Sequence, residues 1–135
     1  GDIGFISQVI ESTRDENFNI LSGDDEMTLP LLCLGGTGVI SVAANIAPEL
    51  TCDMVWSALP GERHNFPHAL SLNRKLCPIF RGLFVESNPI PVKEAMHLKY
   101  DSPPHLRVPL SRISDNNRQQ LLDLLGDLAE LEHTL

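Results

Sequence analysis

The apolar residues Ile3, Ile6, Val9 and Ile10 recur at helical spacing, which predicts an amphipathic helix over the first dozen residues. The polar run 12–17 ends that pattern as a turn. A short apolar run, 18–22, then predicts a strand closed by Gly23, and Asp24 or Asp25 is placed to cap a helix over 26–34. Pro30 falls inside that helix and should keep it short or bend it. Gly35-Gly36 ends it, and 38–42 predicts a second strand with Ala43-Ala44-Asn45 as its exit loop. Ala47-Pro48 opens a helix running to about Leu59, where Pro60-Gly61 breaks it.

From Glu62 the character changes. The spacing of Phe66, Leu70, Leu76, Ile79, Phe80 and Leu83 predicts a long helix over 63–83. Asn88-Pro89-Ile90-Pro91 introduces another over 92–99. A Pro-rich connector, 101–109, leads to a last, leucine-rich helix capped at Ser114-Asp115.

Both strand segments are mainly apolar, interrupted by Asn19, Ser22 and Ser41 without regular alternation, the pattern of parallel strands covered on both faces. Each ends in a loop of small and polar residues, and a helix separates the two. That rhythm places the chain in the α/β class, as the C-terminal part of a (β/α)8 TIM barrel (its last two βα units) over 1–60, followed by a helical region over 61–135. Two strands cannot close a barrel, and alone they leave edge hydrogen bonds unpaired. The remaining strands are therefore expected upstream, as the missing N-terminal half of the barrel.

Composition narrows the function classes. The chain has 135 residues, 42% of them hydrophobic, enough for a core. Its 18 acidic against 10 basic residues give a formal charge of −8, which disfavours non-specific binding to nucleic acid or to an anionic membrane. No apolar run approaches the ~20 residues of a membrane span. The N-terminus carries neither a signal-peptide pattern nor an initiator Met, as a processed or truncated end would. Three cysteines, Cys33, Cys52 and Cys77, without paired spacing are expected as buried free thiols in a reducing cytoplasm.

Most of the candidate chemistry has a plainer reading. Asp24-Asp25 lacks the third ligand of a divalent metal site, and capping explains it better. His64 and His68 stand four apart without a zinc motif, and Pro67 intervenes. Gly35-Gly36-Thr37-Gly38 precedes a strand and carries no phosphate-loop lysine, so it reads as a helix-to-strand turn. Ser41 lacks the nucleophile-elbow pattern. Lys93 could be a nucleophile only if its charge were suppressed, and adjacent Glu94 would oppose that. No metal and no cofactor are expected.

Three segments carry a resemblance: Leu21-Ser22-Gly23-Asp24-Asp25; Gly35-Gly36-Thr37-Gly38-Val39-Ile40-Ser41-Val42 with Asn45; and Phe84-Val85-Glu86-Ser87-Asn88-Pro89-Ile90-Pro91-Val92-Lys93. Together with the weaker Leu106-Arg107-Val108-Pro109-Leu110, they are similar in order and spacing to the dihydrodipicolinate synthase (4-hydroxy-tetrahydrodipicolinate synthase) family. The resemblance implies a barrel with a small C-terminal helical domain, usually a cytoplasmic homotetramer. It also implies condensation of pyruvate with L-aspartate 4-semialdehyde in lysine biosynthesis through diaminopimelate. In that family a lysine ending the sixth strand forms a Schiff base with pyruvate, which then reacts as an enamine, while a tyrosine relays protons.

By the same resemblance this chain supplies strands seven and eight. The family's Schiff-base lysine and relay tyrosine fall before Gly1, so the chain alone should be inactive. Ile40 matches the pyruvate-binding isoleucine, which acts largely through its backbone. Gly23 matches a glycine whose carbonyl edges the site, where a missing side chain permits close approach. Asn45 and Asn88 look like loop-fixing residues near the mouth. Two alternatives stay open: another pyruvate-dependent aldolase, such as N-acetylneuraminate lyase or a 2-keto-3-deoxy sugar-acid aldolase, or a non-catalytic interaction fragment.

Overall fold

Asp2 starts the first helix, its Oδ1 accepting the backbone N–H groups of Gly4 and Phe5 at 2.8 and 3.2 Å. The computed structural model describes residues 2–133. Helix α1 (Ile3–Thr13) leads to strand β1 (Leu21–Ser22), α2 (Thr28–Leu34) and strand β2 (Gly38–Val39). One 3₁₀ turn, Ala43–Asn45, follows β2 and precedes α3 (Pro48–Ala58), α4 (Phe66–Gly82), α5 (Ile90–Tyr100) and α6 (Asp115–His133).

The strands pair in parallel, Leu21 opposite Gly38 and Ser22 opposite Val39. Both are shorter than the sequence pattern predicts. A strand is only as long as its ladder, and each of these has one neighbour among the described residues. The bond from Thr37 N to Ile20 O, 2.8 Å, and that from Ile40 N to Ser22 O, also 2.8 Å, continue the contact at either end. Phe5, Phe18, Leu21, Ile40 and Trp56 remain exposed around this sheet.

Helix α2 begins two residues later than expected and has no side-chain cap, so neither Asp24 nor Asp25 caps it. Pro30 then falls in its first turn, where a missing N–H costs nothing. Gly35, at φ 111°, closes α2 with its N–H on Leu32 O, and the Gly36 N–H reaches Leu31 O. Helix α4 starts at Phe66 rather than 63, because Asn65 caps it through the His68 N–H.

One hydrophobic cluster runs from the 3₁₀ turn through α3, α4 and α5 to α6, with Met54, Leu72, Leu76, Phe80, Leu83, Leu121 and Leu128 nearly or fully buried. The core therefore crosses residue 60 without a break. The cysteines depart from expectation: Cys33 and Cys52 are exposed and Cys77 is half-buried. In α2 the inward positions are taken by Thr28, Leu29, Leu31 and Leu32, which leaves Cys33 on the outer side. No described helix is long and apolar enough to cross a membrane.

Glu86, between α4 and α5, holds the start of α6. Its Oε1 accepts from Ser114 N, Ser114 Oγ and Asn117 Nδ2 at 2.8–2.9 Å. The Ser114 backbone N–H above all, then the Asn117 amide, lowers the Glu86 pKa below its ordinary value. The unfolded chain therefore binds this proton more readily. The stabilisation is present above the unfolded pKa and is lost as pH falls through the lower, folded one. Glu86→Gln is expected to unfold at lower denaturant than wild type at neutral pH. The gap should close in acid, and a gap that persists there would contradict this assignment.

Candidate functional site

Parallel pairing puts the loops after β1 and β2 at the same end of the sheet, the end at which (β/α) barrels carry their chemistry. The two loops are joined directly. The Ile40 N–H donates to Ser22 O, which places Ile40 beside the residue preceding Gly23. Ile40 is 72% exposed.

A cleft of about 320 Å³ opens beside Ile40 and is also lined by Asn45, Asn88 and Lys93. Of the four candidate site residues, the structure thus brings Ile40, Asn45 and Asn88 onto one cleft. Gly23 lies outside it. Gly23 borders a second cleft of about 310 Å³ with Phe80, Arg81 and Phe84, and an apolar one of about 360 Å³ against α1. A Cβ built on Gly23 meets nothing within 4 Å, so no neighbour in this chain requires glycine there.

Asn45 fixes its own loop, its Nδ2 donating to Val42 O at 2.9 Å. Asn88 is exposed and precedes a cis proline, Pro89. Lys93 departs from the sequence reading in its partner. Its Nζ donates to His105 O at 2.6 Å, whereas Glu94 pairs with Arg118 at 2.7 Å. Adjacent residues on a helix point in different directions, so Glu94 is not the group that faces the Lys93 ammonium. His64 and His68 separate as well: His64 Nδ1 meets Leu59 O, and His68 Nε2 meets Asp53 Oδ2 at 2.7 Å.

Three tethers around the mouth were not legible in the sequence. Asp25, buried rather than capping, accepts the N–H groups of Val42 and Ala43 on Oδ2, both at 3.0 Å. Arg81 Nε donates to Glu26 Oε1 at 2.6 Å, tying α4 to the loop after β1, and the Glu26 carboxylate raises the guanidinium pKa further. Ile46 O accepts from Lys99 Nζ at 2.7 Å and Tyr100 Oη at 3.2 Å, and Lys99 also meets Glu132 at 2.6 Å. Each joins residues far apart in sequence, and no local pattern announces such a bond.

Two parallel βα units with their loops at one end, continued by a helical layer that shares one core with α3, define the C-terminal part of a (β/α)8 barrel with its helical extension. The family model described as the dihydrodipicolinate synthetase family matches residues 1–128, and the chain belongs to that family. It is 56% identical over 128 residues to a 4-hydroxy-tetrahydrodipicolinate synthase of Haloarcula marismortui, covering 95% of this chain and 41% of that protein. The structure of a Thermotoga maritima dihydrodipicolinate synthase superposes with a TM-score of 0.87 at 35% identity, over 93% of this chain and 42% of that one. A monomeric dihydrodipicolinate synthase variant gives 0.87 at 34% identity, over 95% and 42%. The chain thus spans about two fifths of the length of the relatives it matches.

Proposed function

We propose that this chain supplies the last two βα units and the helical region of a 4-hydroxy-tetrahydrodipicolinate synthase, which condenses pyruvate with L-aspartate 4-semialdehyde in lysine biosynthesis through diaminopimelate. The observation that carries this reading is the 56% identity to the Haloarcula protein across nearly the whole chain. The enzyme would be a cytoplasmic lyase without a cofactor, assembled as a homotetramer from complete barrels.

In this chemistry a lysine amine displaces water from the pyruvate ketone to give an imine. The protonated imine accepts the electrons released when the methyl group loses a proton, and the resulting enamine carbon attacks the semialdehyde. Ile40 would line the pocket near the imine through its backbone, and the Gly23 carbonyl would edge it from the neighbouring loop. Asn45 and Asn88 would hold the loops that frame the cleft.

The nucleophile is assigned to the other part of the barrel. Of the three lysines here, Lys93 is tied to a connector carbonyl and Lys99 to Glu132 and Ile46, while Lys75 is exposed on α4. The test is reductive trapping. Incubated with pyruvate and a hydride reductant, the complete barrel containing this chain is expected to gain one reduced pyruvate per subunit, on a lysine outside these 135 residues. The 135-residue chain alone is expected to gain none. Peptide mapping that finds the adduct on Lys75, Lys93 or Lys99, or no adduct on the complete barrel, would overturn the reading.

A further inference from the structure

Asp24 and Asp25 stand side by side but serve different parts of the fold. Asp24 shapes its own loop, its Oδ1 accepting Glu26 N at 3.0 Å. Its carbonyl accepts the hydroxyls of Ser22, at 2.6 Å, and Thr28, at 3.0 Å. The carbonyl-to-hydroxyl bonds and the Asx turn make the loop after β1 a fixed frame. Asp25 points out of that frame and across to the other loop, and at 2% exposure it does so away from water.

Both of its bonds, from Val42 N and Ala43 N, go to the single oxygen Oδ2. These N–H groups open the 3₁₀ turn, where no preceding carbonyl is in position to accept them. Ala43 is completely buried, so water cannot substitute, and an unmet buried donor is costly. The turn can keep this shape only while the two loops stay in register. With the bond from Ile40 N to Ser22 O, three hydrogen bonds hold residues 40–43 on residues 22–25.

We infer that Asp25 is a positioning residue for pyruvate: it locks the loop after β2 onto the loop after β1 and thereby sets the Ile40 backbone at the imine site. This rests on the function proposed above. Asp25 does not line the Ile40 cleft, so it acts through the backbone it holds rather than by touching substrate. A shift of about an ångström in a positioning group can cost up to a hundredfold in rate. Because one oxygen takes both bonds, Asn can replace Asp with its single amide oxygen, whereas Ala leaves both donors unmet.

The test compares steady-state kinetics of the complete barrel carrying wild type, Asp25→Ala and Asp25→Asn, together with Leu72→Ala as a destabilised control in α4, a buried residue that lines none of the clefts at Ile40 or Gly23. Expected are a pyruvate KM raised roughly tenfold or more in Asp25→Ala, substantial recovery in Asp25→Asn, and a wild-type KM in Leu72→Ala. Should Asp25→Ala fail to fold, Asp25→Asn with hydrogen exchange at the Val42 and Ala43 amides carries the test, and wild-type protection of both amides with wild-type KM is expected. An unchanged KM in Asp25→Ala, a matching rise in Leu72→Ala, or unprotected Val42 and Ala43 amides in folded wild type would overturn the proposal. Wild-type protein that traps no pyruvate overturns the functional reading beneath it, a separate and distinguishable failure.

Discussion

Phe80→Ala is expected to destabilise this fold by about 3–5 kcal/mol, the range for removing a large aromatic from a packed core. Phe80 is 1% exposed and sits in the cluster that joins α3, α4 and α6. Its ring cannot be replaced by solvent, and the helices around it are held by further tethers, so the cavity should collapse only in part. Against the 5–15 kcal/mol that domains typically possess (roughly), the loss is a large fraction. Phe80 also borders the cleft at Gly23, so the damage should extend to the loop after β1. Urea unfolding should show a lower midpoint with an unchanged slope. A loss under about 1 kcal/mol would mean that the site repacks freely, contrary to its burial.

Gly36→Ala comes second, for a steric reason. A Cβ at Gly36 would lie 1.7 Å from Leu31 Cδ2 and 3.0 Å from Leu31 O. Leu31 is itself 4% exposed, so its side chain has little room to retreat, and the carbonyl is already taken by the Gly36 N–H. Overpacking of this kind costs about 1–3 kcal/mol, and here it acts on the turn that sets the register of β2. Gly35→Ala differs in kind: the nearest atom to its Cβ is at 3.5 Å, but φ of 111° strains any L side chain. Thermal unfolding of both single variants and the double variant would separate clash from backbone strain. Because the residues are adjacent, their effects should not add. A Gly36→Ala protein as stable as wild type would show that α2 can shift.

What could be read in the sequence was local. The Pro48 helix start, the Gly35-Gly36 stop and the Ser114 cap each rest on chemistry within a few residues, and each predicted element exists with its ends moved slightly, α4 because Asn65 caps it three residues later than expected. The strands were overestimated because apolar runs mark residues that want burial, while a ladder also needs a neighbour. The cysteines were misplaced because an apolar stretch wraps a helix on all sides, and only packing decides which side faces in. Of the candidate site, Ile40, Asn45 and Asn88 share a cleft, while Gly23 faces elsewhere in this chain. Asp25 shows the limit most clearly. Beside Asp24 and before a helix it looks like a cap, and nothing local distinguishes it from a residue bonded 17 and 18 positions away.

The carbonyl of Ile46 gives the far end of the chain leverage over the mouth. Lys99 and Tyr100 converge on it from the last turn of α5, and Glu132 near the end of α6 holds the Lys99 ammonium in place. Removing one turn of α6 would take Glu132 away and leave the Lys99 ammonium held by its bond to Ile46 O. Residues more than eighty positions apart in sequence thus meet at one ammonium, and a change in the last turn of α6 is felt where the loop after β2 enters α3.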